Sequence, residues 1–357
     1  MDRLEEEVRS RRPVYQWADR ALGPQPSILG TLTELRSLSQ DFLQMVRQAN
    51  SVLIGTHLNP DGDALGSALA MSLMLDQLEV LNEVVCHNNA PYNLRFLPHL
   101  NKVRSTTQQE HDLGIILDLD AMHRLGSTES FFEQCPHLIV VDHHVPHEEP
   151  GDLRIVDPSA PATALILFRL FRELQIQFTP EIATCLLTGI VTDTGSFKYR
   201  NTSPESLEAA AFLLSCGGDI VQVSEEVYHR KPLAGVRLLG KCLDHLRLDA
   251  EDQIAWSVLR IEDFDSTGAK EPHTEGLVNE LLAIDSVKIA AVLRQPYADR
   301  VIRASIRSRE GYDASAVART FGGGGHRNAA GCTFEGITIE EAERELVSAM
   351  NSCLASS

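Results

Sequence analysis

Short apolar runs alternate with longer helical patterns in the first half of the chain, and this alternation restricts the possible fold more than any other feature. The runs are SVLIGT (51–56), EVVCH (83–87), LGIILDL (113–119), LIVVDH (138–143) and LRIV (153–156). The helical patterns include ALGSALAMSLMLDQL, ATALILFRLFREL and TPEIATCLLTGIVT. Short apolar strands separated by helices are typical of a parallel sheet with helices on both faces. The sequence therefore predicts an α/β fold for this part of the chain.

A second group of strand patterns follows a helical region and indicates a second domain. Residues 203–250 have helical character, and the later strand patterns are QIAWSVLRI (253–261), VKIAAVLRQ and RVIRASIRS. At roughly 100–200 residues per domain, two domains are expected. We predict an N-terminal extension and helix over 1–48, a parallel-sheet domain over 49–235, a helical linker over 236–252 and a smaller α/β domain over 253–357. Thr31 and Glu34 have capping-box spacing, which predicts a helix through about Gln48.

The composition favours a cytoplasmic protein that does not bind long duplex nucleic acid. The seven cysteines are scattered and form no C-x-x-C pair, which is typical of a reducing compartment. The N-terminus lacks the apolar segment of a secretory signal, and the run ATALILFRLF, interrupted by Arg169, is too short to span a membrane. The net charge of −18 disfavours attraction to DNA. Residues 288–327 nevertheless contain eight Lys or Arg against three acids, which fits either a small anionic ligand or a solvated surface.

Acidic and imidazole side chains follow the apolar runs at four places. The clusters are His57, Asp61 and Asp63; Asp118; Asp142, His143 and His144; and Asp193. The carboxyl ends of parallel strands meet at one edge of a sheet, where ligands bind. A single acid there can be a helix cap, as Asp63 can be before ALGSALAM. Four converging clusters, however, repel one another unless a cation lies among them. The pattern therefore predicts a metal site.

The types of donor atom narrow the identity of the metal. Carboxylates mixed with imidazoles suit Mn²⁺, Fe²⁺ or Co²⁺ better than Mg²⁺, which prefers oxygen and retained water. The motifs contain no thiolate, which disfavours zinc without excluding it. About six ligands are too many for one ion, so we predict two divalent cations, with Mn²⁺ favoured, about 3.5–4 Å apart.

Five motifs occur in an order that resembles a known family. HLNPDGDALGS, the LDLD acid, VVDHH and TGIVTDTGSF are similar to the four signature motifs of the DHH phosphoesterase superfamily. FGGGGHRNAAG resembles the glycine-rich motif of its DHH-associated substrate-binding domain. The resemblance extends from about Ser51 to Gly331, and it is greatest to the bacterial nanoRNase/pAp-phosphatase type. It implies a DHH catalytic domain over 49–235 and a substrate-binding domain over 253–357.

The resemblance also implies a role for each residue of the four clusters. One ion would be bound by His57, Asp61 and Asp118, and the other by Asp63, Asp118, His143 and Asp193. Asp118 would bridge the two ions. Asp142 would orient a ligand by accepting a hydrogen bond, and His144 would face the substrate phosphate or the leaving oxygen. We therefore expect Asp118, Asp142, His143 and His144 to be catalytic.

The strand pattern RVIRASIRSRE indicates how the second domain could bind an anion. A period of two places Arg303, Ser305 and Arg307 on one face of the strand. Arginine suits phosphate because its planar group can donate two hydrogen bonds at once. The alternative is an exposed edge strand whose arginines only prevent edge-to-edge pairing.

The glycine run after this strand is the second candidate for substrate binding. The absence of side chains at Gly323, Gly324 and Gly325 would let backbone N–H groups approach a nucleotide, with His326 close to a phosphate or base. A flexible linker is the alternative explanation of consecutive glycines. In the first domain, Arg124 could contact a phosphate or only brace its loop.

Together, these features predict a metal-dependent phosphoesterase that hydrolyses short oligoribonucleotides to mononucleotides, with pAp as a further substrate. A phosphodiesterase for linear or cyclic signalling dinucleotides, such as pApA or c-di-AMP, is the alternative within the family. A nucleotide-sensing protein without catalysis is the alternative of another class. The expected partners are short RNAs or small nucleotides, and neither a membrane nor a long nucleic-acid duplex is expected to bind. Whether the protein forms a homodimer is left open.

Overall fold

Two units, each built on its own β-sheet, form the part of the chain that the computed structural model describes, residues 32–145, 150–298 and 301–355. The first unit ends at Val227 and the second begins at Tyr228. The predicted α/β class is confirmed. The N-terminal extension up to Thr31 lies outside the described residues. None of the helices in these ranges has the length and apolar character needed to cross a bilayer.

All six strands of the first sheet are parallel. They are β1 (Ser51–Gly55), β2 (Leu81–Val85), β3 (Val103–Arg104), β4 (Leu113–Leu117), β5 (His137–Asp142) and β6 (Leu153–Val156). Their order across the sheet is β3-β2-β1-β4-β5-β6. The chain leaves β1 toward β2 on one side and later returns to place β4 on the other side. Ligands of open α/β sheets bind at the carboxyl ends of the strands where the order reverses in this way.

Close packing between two helices fixes the geometry above the first sheet. The helices of this unit are α1 (Leu32–Gln48), α2 (Gly62–Gln77), α3 (Glu129–Phe132), α4 (Thr163–Glu173), α5 (Pro180–Asp193), α6 (Pro204–Ser215) and α7 (Ile220–Ser224). Helix α2 is almost entirely buried, and its Gly66 faces the backbone of α5 so closely that a Cβ would collide with the Cys185 carbonyl oxygen. A Cβ at Gly189 of α5 would collide with Asp63 of α2. The glycines therefore let the two backbones approach each other, which brings Asp63 and Asp193 together.

The second unit contains a mixed sheet. Its strands are β7 (Arg247–Asp249), β8 (Ile254–Leu259), β9 (Ile289–Arg294), β10 (Val301–Ser308), β11 (Gly324–His326) and β12 (Ala329–Glu335). The order is β11-β12-β10-β9-β8-β7, and β8 and β9 are the parallel pair. The helices are α8 (Leu233–Asp244), α9 (Ile261–Thr267), α10 (Leu277–Leu282), α11 (Ala314–Arg319) and α12 (Ile339–Ala355).

Strand β10 alternates as its sequence predicts. Ile302, Ala304 and Ile306 are buried in the apolar cluster that includes α11 and α12, and the residues between them point to the other face. Within the predicted linker 236–252, the helix ends at Asp244 and Arg247–Asp249 forms an edge strand. All three residues of this strand are exposed, and they pair antiparallel with the start of β8 across a short turn. With no buried residue, the strand has no apolar pattern that could indicate it in the sequence.

Candidate metal centre

The predicted acids and histidines lie at the ends of four elements of the first unit and at the start of a fifth. His57 follows β1, Asp118 follows β4, and Asp142 ends β5 with His143 and His144 directly after it. Asp193 is the last residue of α5, and Asp61 and Asp63 stand at the start of α2. Asp61 caps this helix by accepting hydrogen bonds from the backbone N–H groups of Asp63 and Ala64. The structure therefore gathers all four sequence clusters in one place.

The donor atoms form three overlapping groups, in each of which they lie within 4.8 Å of one another. The groups are His57, Asp61 and Asp118; Asp63, His143 and Asp193; and Asp118, His143 and His144. His57 Nε2 lies 3.4 Å from Asp118 Oδ2, and His143 Nε2 lies 3.4 Å from Asp118 Oδ1. His143 Nε2 also lies 3.3 Å from Asp193 Oδ2. Asp118 is thus common to two groups, with one carboxylate oxygen facing each side.

Asp118 is held in a conformation that few residues adopt. Its φ of 59° lies in the left-handed region, which costs an ordinary side chain about 1–3 kcal/mol and is concentrated at functional sites. Its backbone N–H donates to the Val141 carbonyl of the neighbouring strand end. The hydroxyl of Thr163 donates to Asp118 Oδ1 at 3.0 Å. These contacts hold a buried carboxylate in a fixed orientation.

The N-terminus of helix α4 supports Asp63. The backbone N–H groups of Thr163 and Ala164 donate to its two carboxylate oxygens at 2.6 and 2.9 Å, and Ser67 Oγ donates at 3.2 Å. A carboxylate at this end also interacts favourably with the helix dipole. Thr163 is not among the predicted site residues. The signal for it in the sequence is that Ala162, at the start of helix α4, has no side chain that can cap the helix.

Asp142 contacts His144. Asp142 Oδ1 lies 2.8 Å from His144 Nδ1 and accepts a further hydrogen bond from the His144 backbone N–H at 3.1 Å. His144 also adjoins Asp118, since its Nδ1 lies 3.6 Å from Asp118 Oδ1. The contact fixes the orientation of the imidazole ring, as a buried carboxylate commonly does for a histidine in a functional site.

The electrostatics of the cluster favour additional positive charge. Burial, with the charges of Asp118 and Asp193, raises the pKa of Asp63 well above its ordinary value. Burial raises the pKa of Asp193 to about 6, although its hydrogen bond to His143 opposes this. Burial alone would lower the pKa of both histidines, but a hydrogen bond to Asp193 raises that of His143 to about 10 and one to Asp118 raises that of His57 to about 9. Carboxylate and imidazole donors that attract positive charge in this way fit divalent first-row cations.

The predicted substrate-binding residues of the second unit share one face of β10. Arg303, Ser305 and Arg307 are half-buried on the face opposite Ile302 and Ile306. Arg303 lies 3.3 Å from a carboxylate oxygen of Glu271, and Ser305 Oγ accepts a hydrogen bond from Arg294. Neither Glu271 nor Arg294 is among the predicted site residues.

The glycine run forms an edge strand instead of the loop that the sequence suggested. Gly324 and Gly325 pair with Gly331 and Ala330 of β12. A Cβ at Gly323 would lie 2.6 Å from the Cys332 Cβ, and one at Gly325, whose φ is 138°, would lie 2.7 Å from the Ala330 Cα. The glycines thus permit close approach of β12, which local sequence could not reveal. The His326 side chain lies outside the described part of the structure.

Arg124 lies in the first unit but is not among the grouped donors. Its guanidinium forms an ion pair with Asp120 at 2.9 Å, and its backbone carbonyl accepts a hydrogen bond from Leu58 N–H at 2.7 Å. The backbone contact ties its segment to the loop that carries His57 and Asp61. Bracing of this loop by Arg124 is therefore a structural alternative to its predicted contact with a phosphate.

Comparisons with known proteins give consistent matches in both units. The chain matches the DHH family, N-terminal domain, over residues 51–190 and the DHHA1 domain over residues 253–356. A bifunctional oligoribonuclease and PAP phosphatase of Thermus thermophilus is 32% identical over 302 residues, 84% of this chain and 89% of that protein. A cyclic-di-AMP phosphodiesterase of Listeria monocytogenes is 24% identical over a match that spans 90% of this chain but only 50% of that protein. An exopolyphosphatase-related protein of Bacteroides fragilis has a similar structure, with a TM-score of 0.83 and 28% identity over 89% of this chain and 96% of that one.

Proposed function

Because the chain belongs to the DHH family and carries a DHHA1 domain, we propose that it hydrolyses short oligoribonucleotides to mononucleotides and pAp to AMP. The observation that carries this proposal is the gathering of four carboxylates and three imidazoles into overlapping groups at the edge of the first sheet. The Thermus oligoribonuclease and PAP phosphatase, matched over nearly its whole length, supports the choice of substrate. Free cysteines throughout the chain support a cytoplasmic location.

The donor groups would hold two divalent cations. His57, Asp61 and Asp118 would bind one, and Asp63, Asp118, His143 and Asp193 would bind the other, with Asp118 shared. The donor set favours Mn²⁺, with Mg²⁺, Co²⁺ and Fe²⁺ as alternatives. When bound, such a pair neutralises phosphate charge and lowers the pKa of water.

The protein's own residues would orient the reacting groups. Thr163 and the backbone at the start of α4 hold Asp118 and Asp63 in place. Asp142 would keep the His144 ring fixed, so that the ring can face the substrate phosphate and provide a proton to the leaving oxygen. The hydrogen bond that His144 donates to Asp142 raises the pKa of His144 against the effect of burial, which favours the protonated form that this role requires.

The second unit would recognise the nucleotide. Arg303, Ser305 and Arg307 present donors for phosphate from one strand face. The backbone of Gly323, Gly324 and Gly325 and the imidazole of His326 would lie at the same ligand. Arg124 is a further candidate contact from the first unit.

A phosphodiesterase for signalling dinucleotides is the second candidate function. Its support is the Listeria relative, which this chain matches over half of that protein's length. The two functions can be distinguished by comparing turnover rates of the full-length protein with Mn²⁺ on pAp, pApA, c-di-AMP and 5′-phosphorylated RNAs a few nucleotides long. Our proposal expects the fastest turnover on the short RNAs and pAp. Turnover confined to pApA or c-di-AMP would favour the second function, and nucleotide binding without turnover by the metal-loaded protein would favour a sensor.

A further inference from the structure

Arg294 lies beside the residues that we propose to bind substrate. It ends strand β9, directly opposite Arg303 of β10. Its side chain is only 17% exposed, and its guanidinium donates from Nη1 to Ser305 Oγ at 2.7 Å. Nε is buried and has no hydrogen-bond partner among the described residues. A buried guanidinium is costly unless neighbouring groups compensate its charge and its donors, so its position needs an explanation.

Glu271 connects Arg294 to Arg303. One of its carboxylate oxygens lies 3.5 Å from Arg294 Nε and 3.3 Å from Arg303 Nη1. The positive charges of Arg303 and Arg307 act on Arg294 as well, so three arginines lie near one another, and two of them contact this carboxylate. The cluster therefore has an excess of positive charge, which suits an anion. Glu271 limits the movement of both Arg294 and Arg303.

The hydrogen bond between Arg294 and Ser305 determines what the serine hydroxyl can do. A guanidinium can only donate hydrogen bonds, so Ser305 Oγ must accept this one. The single O–H of Ser305 is then left to donate elsewhere, and a phosphate oxygen is an acceptor. Without Arg294, the hydroxyl could rotate and present either its proton or its lone pairs.

We infer that Arg294 is a positioning residue which, held by Glu271, orients the Ser305 hydroxyl as a hydrogen-bond donor toward the substrate phosphate. This inference rests on the proposed function of the Arg303–Arg307 face. The alternative is that Arg294 stabilises only the segment around Glu271. The two explanations differ because a positioning residue acts through Ser305, whereas a stabilising residue acts independently of it.

A double-mutant cycle on the full-length protein tests this dependence. With Mn²⁺ and pAp, Arg294→Met and Ser305→Ala are each expected to raise KM about tenfold, which corresponds to a hydrogen bond to a charged group. kcat should change by less than about threefold, since the phosphate contact is made in both ground and transition states. The double variant should show a KM close to that of either single variant. Arg294→Lys keeps a charged donor and should restore part of the affinity.

A matched control is provided by Arg260, which forms an exposed ion pair with Glu340 at 2.9 Å in the same unit. Arg260→Met should leave KM unchanged. A KM about 100-fold higher in the double variant would be the product of two independent effects and would overturn the inference. An Arg294→Met protein with a normal KM would also overturn it. If Arg294→Met does not fold, Arg294→Lys replaces it: its smaller rise in KM should disappear when Ser305 is already alanine, and persistence of that rise would overturn the inference.

Calorimetric titration with inorganic phosphate separates this inference from the proposed function. The same non-additive pattern is expected in phosphate affinity across the four proteins of the cycle. If the wild-type protein hydrolyses neither pAp nor short RNA, the proposed function fails, and the phosphate titration still decides the role of Arg294. Additive losses of phosphate affinity, or none at all, would refute it.

Discussion

Replacing Gly189 by alanine is expected to separate helices α2 and α5 and to disturb the candidate metal centre. A Cβ at this position would lie 2.6 Å from the Ala164 Cβ, 3.1 Å from the Asp63 Cα and closer still to Asp63 Oδ1. Two of these neighbours belong to helix backbones or sit directly on them, so rotation of a flexible side chain cannot relieve the collision. The helices must move apart instead.

Two opposing effects set the size of the change. Alanine inside a helix is favoured over glycine by about 1 kcal/mol, whereas overpacking a core costs about 1–3 kcal/mol and occasionally more. Because the contacts here involve three elements, α2, α4 and α5, we expect the upper end of this range. The free energy of unfolding should fall by about 2 kcal/mol. Displacement of Asp63 from the N–H groups of α4 should lower Mn²⁺ affinity about 10–100-fold.

Gly240→Ala is the matched control, because Gly240 also lies inside a helix and a Cβ there meets no described atom within 4 Å. This variant should gain up to about 1 kcal/mol and bind Mn²⁺ normally. Denaturant unfolding measures stability, hydrogen exchange assigns the change to a unit, and calorimetry measures Mn²⁺ binding. A Gly189→Ala protein with wild-type stability and Mn²⁺ affinity would refute the argument that glycine packing positions Asp63.

Three further predictions concern the centre and its support. Asp118→Asn should abolish measurable turnover on pAp and weaken binding of two Mn²⁺ ions together, because both donor groups lose charge; loss of one ion alone would contradict the shared role. Thr163→Val should lower Mn²⁺ affinity about 10–100-fold, with Thr163→Ser close to wild type by calorimetry. Arg169→Met should cost about 3–5 kcal/mol in denaturant unfolding, because it leaves the buried Asp157 carboxylate uncompensated. Burial alone would raise the pKa of Asp157, but hydrogen bonds from Ser159 and Arg169 lower it. The ionised carboxylate therefore stabilises the folded protein above about pH 4, and this contribution is lost as the pH falls through the lowered pKa. Equal acid sensitivity of the wild type and the Arg169→Met variant would refute this.

The apolar run ATALILFRLF, which Arg169 interrupts and which forms most of helix α4, illustrates how a sequence feature gains its meaning from packing. The sequence showed only that Arg169 breaks an apolar run. In the structure, its guanidinium donates to Asp157 at 2.6 Å and forms two hydrogen bonds with Glu205. The three residues come from different segments, so no local pattern could have paired them. Arg169 thus joins the start of helix α6 to the loop after strand β6.

The family and the α/β class followed from motifs and periodicity, and both are confirmed. The roles of individual site residues remain predictions, but the structure does gather the donor atoms of the predicted acids and histidines into three overlapping groups, each within 4.8 Å. The glycine run was less predictable. Its close pairing with β12 depends on residues that turn back after it, and glycines in a flexible linker would look the same in sequence.

The sequence alone determined where the predicted acids and histidines would gather. Apolar runs ending in acids and histidines must bring those side chains to one edge, because parallel strands share a direction and end together. Only the tertiary structure decided how the side chains are held. Thr163 contacts Asp118, 45 residues away in sequence, and Asp63, 100 residues away. Arg294 of β9 contacts Ser305 of the neighbouring strand β10. Such contacts depend on the three-dimensional approach of segments whose own patterns are satisfied without them, so residue order cannot specify them.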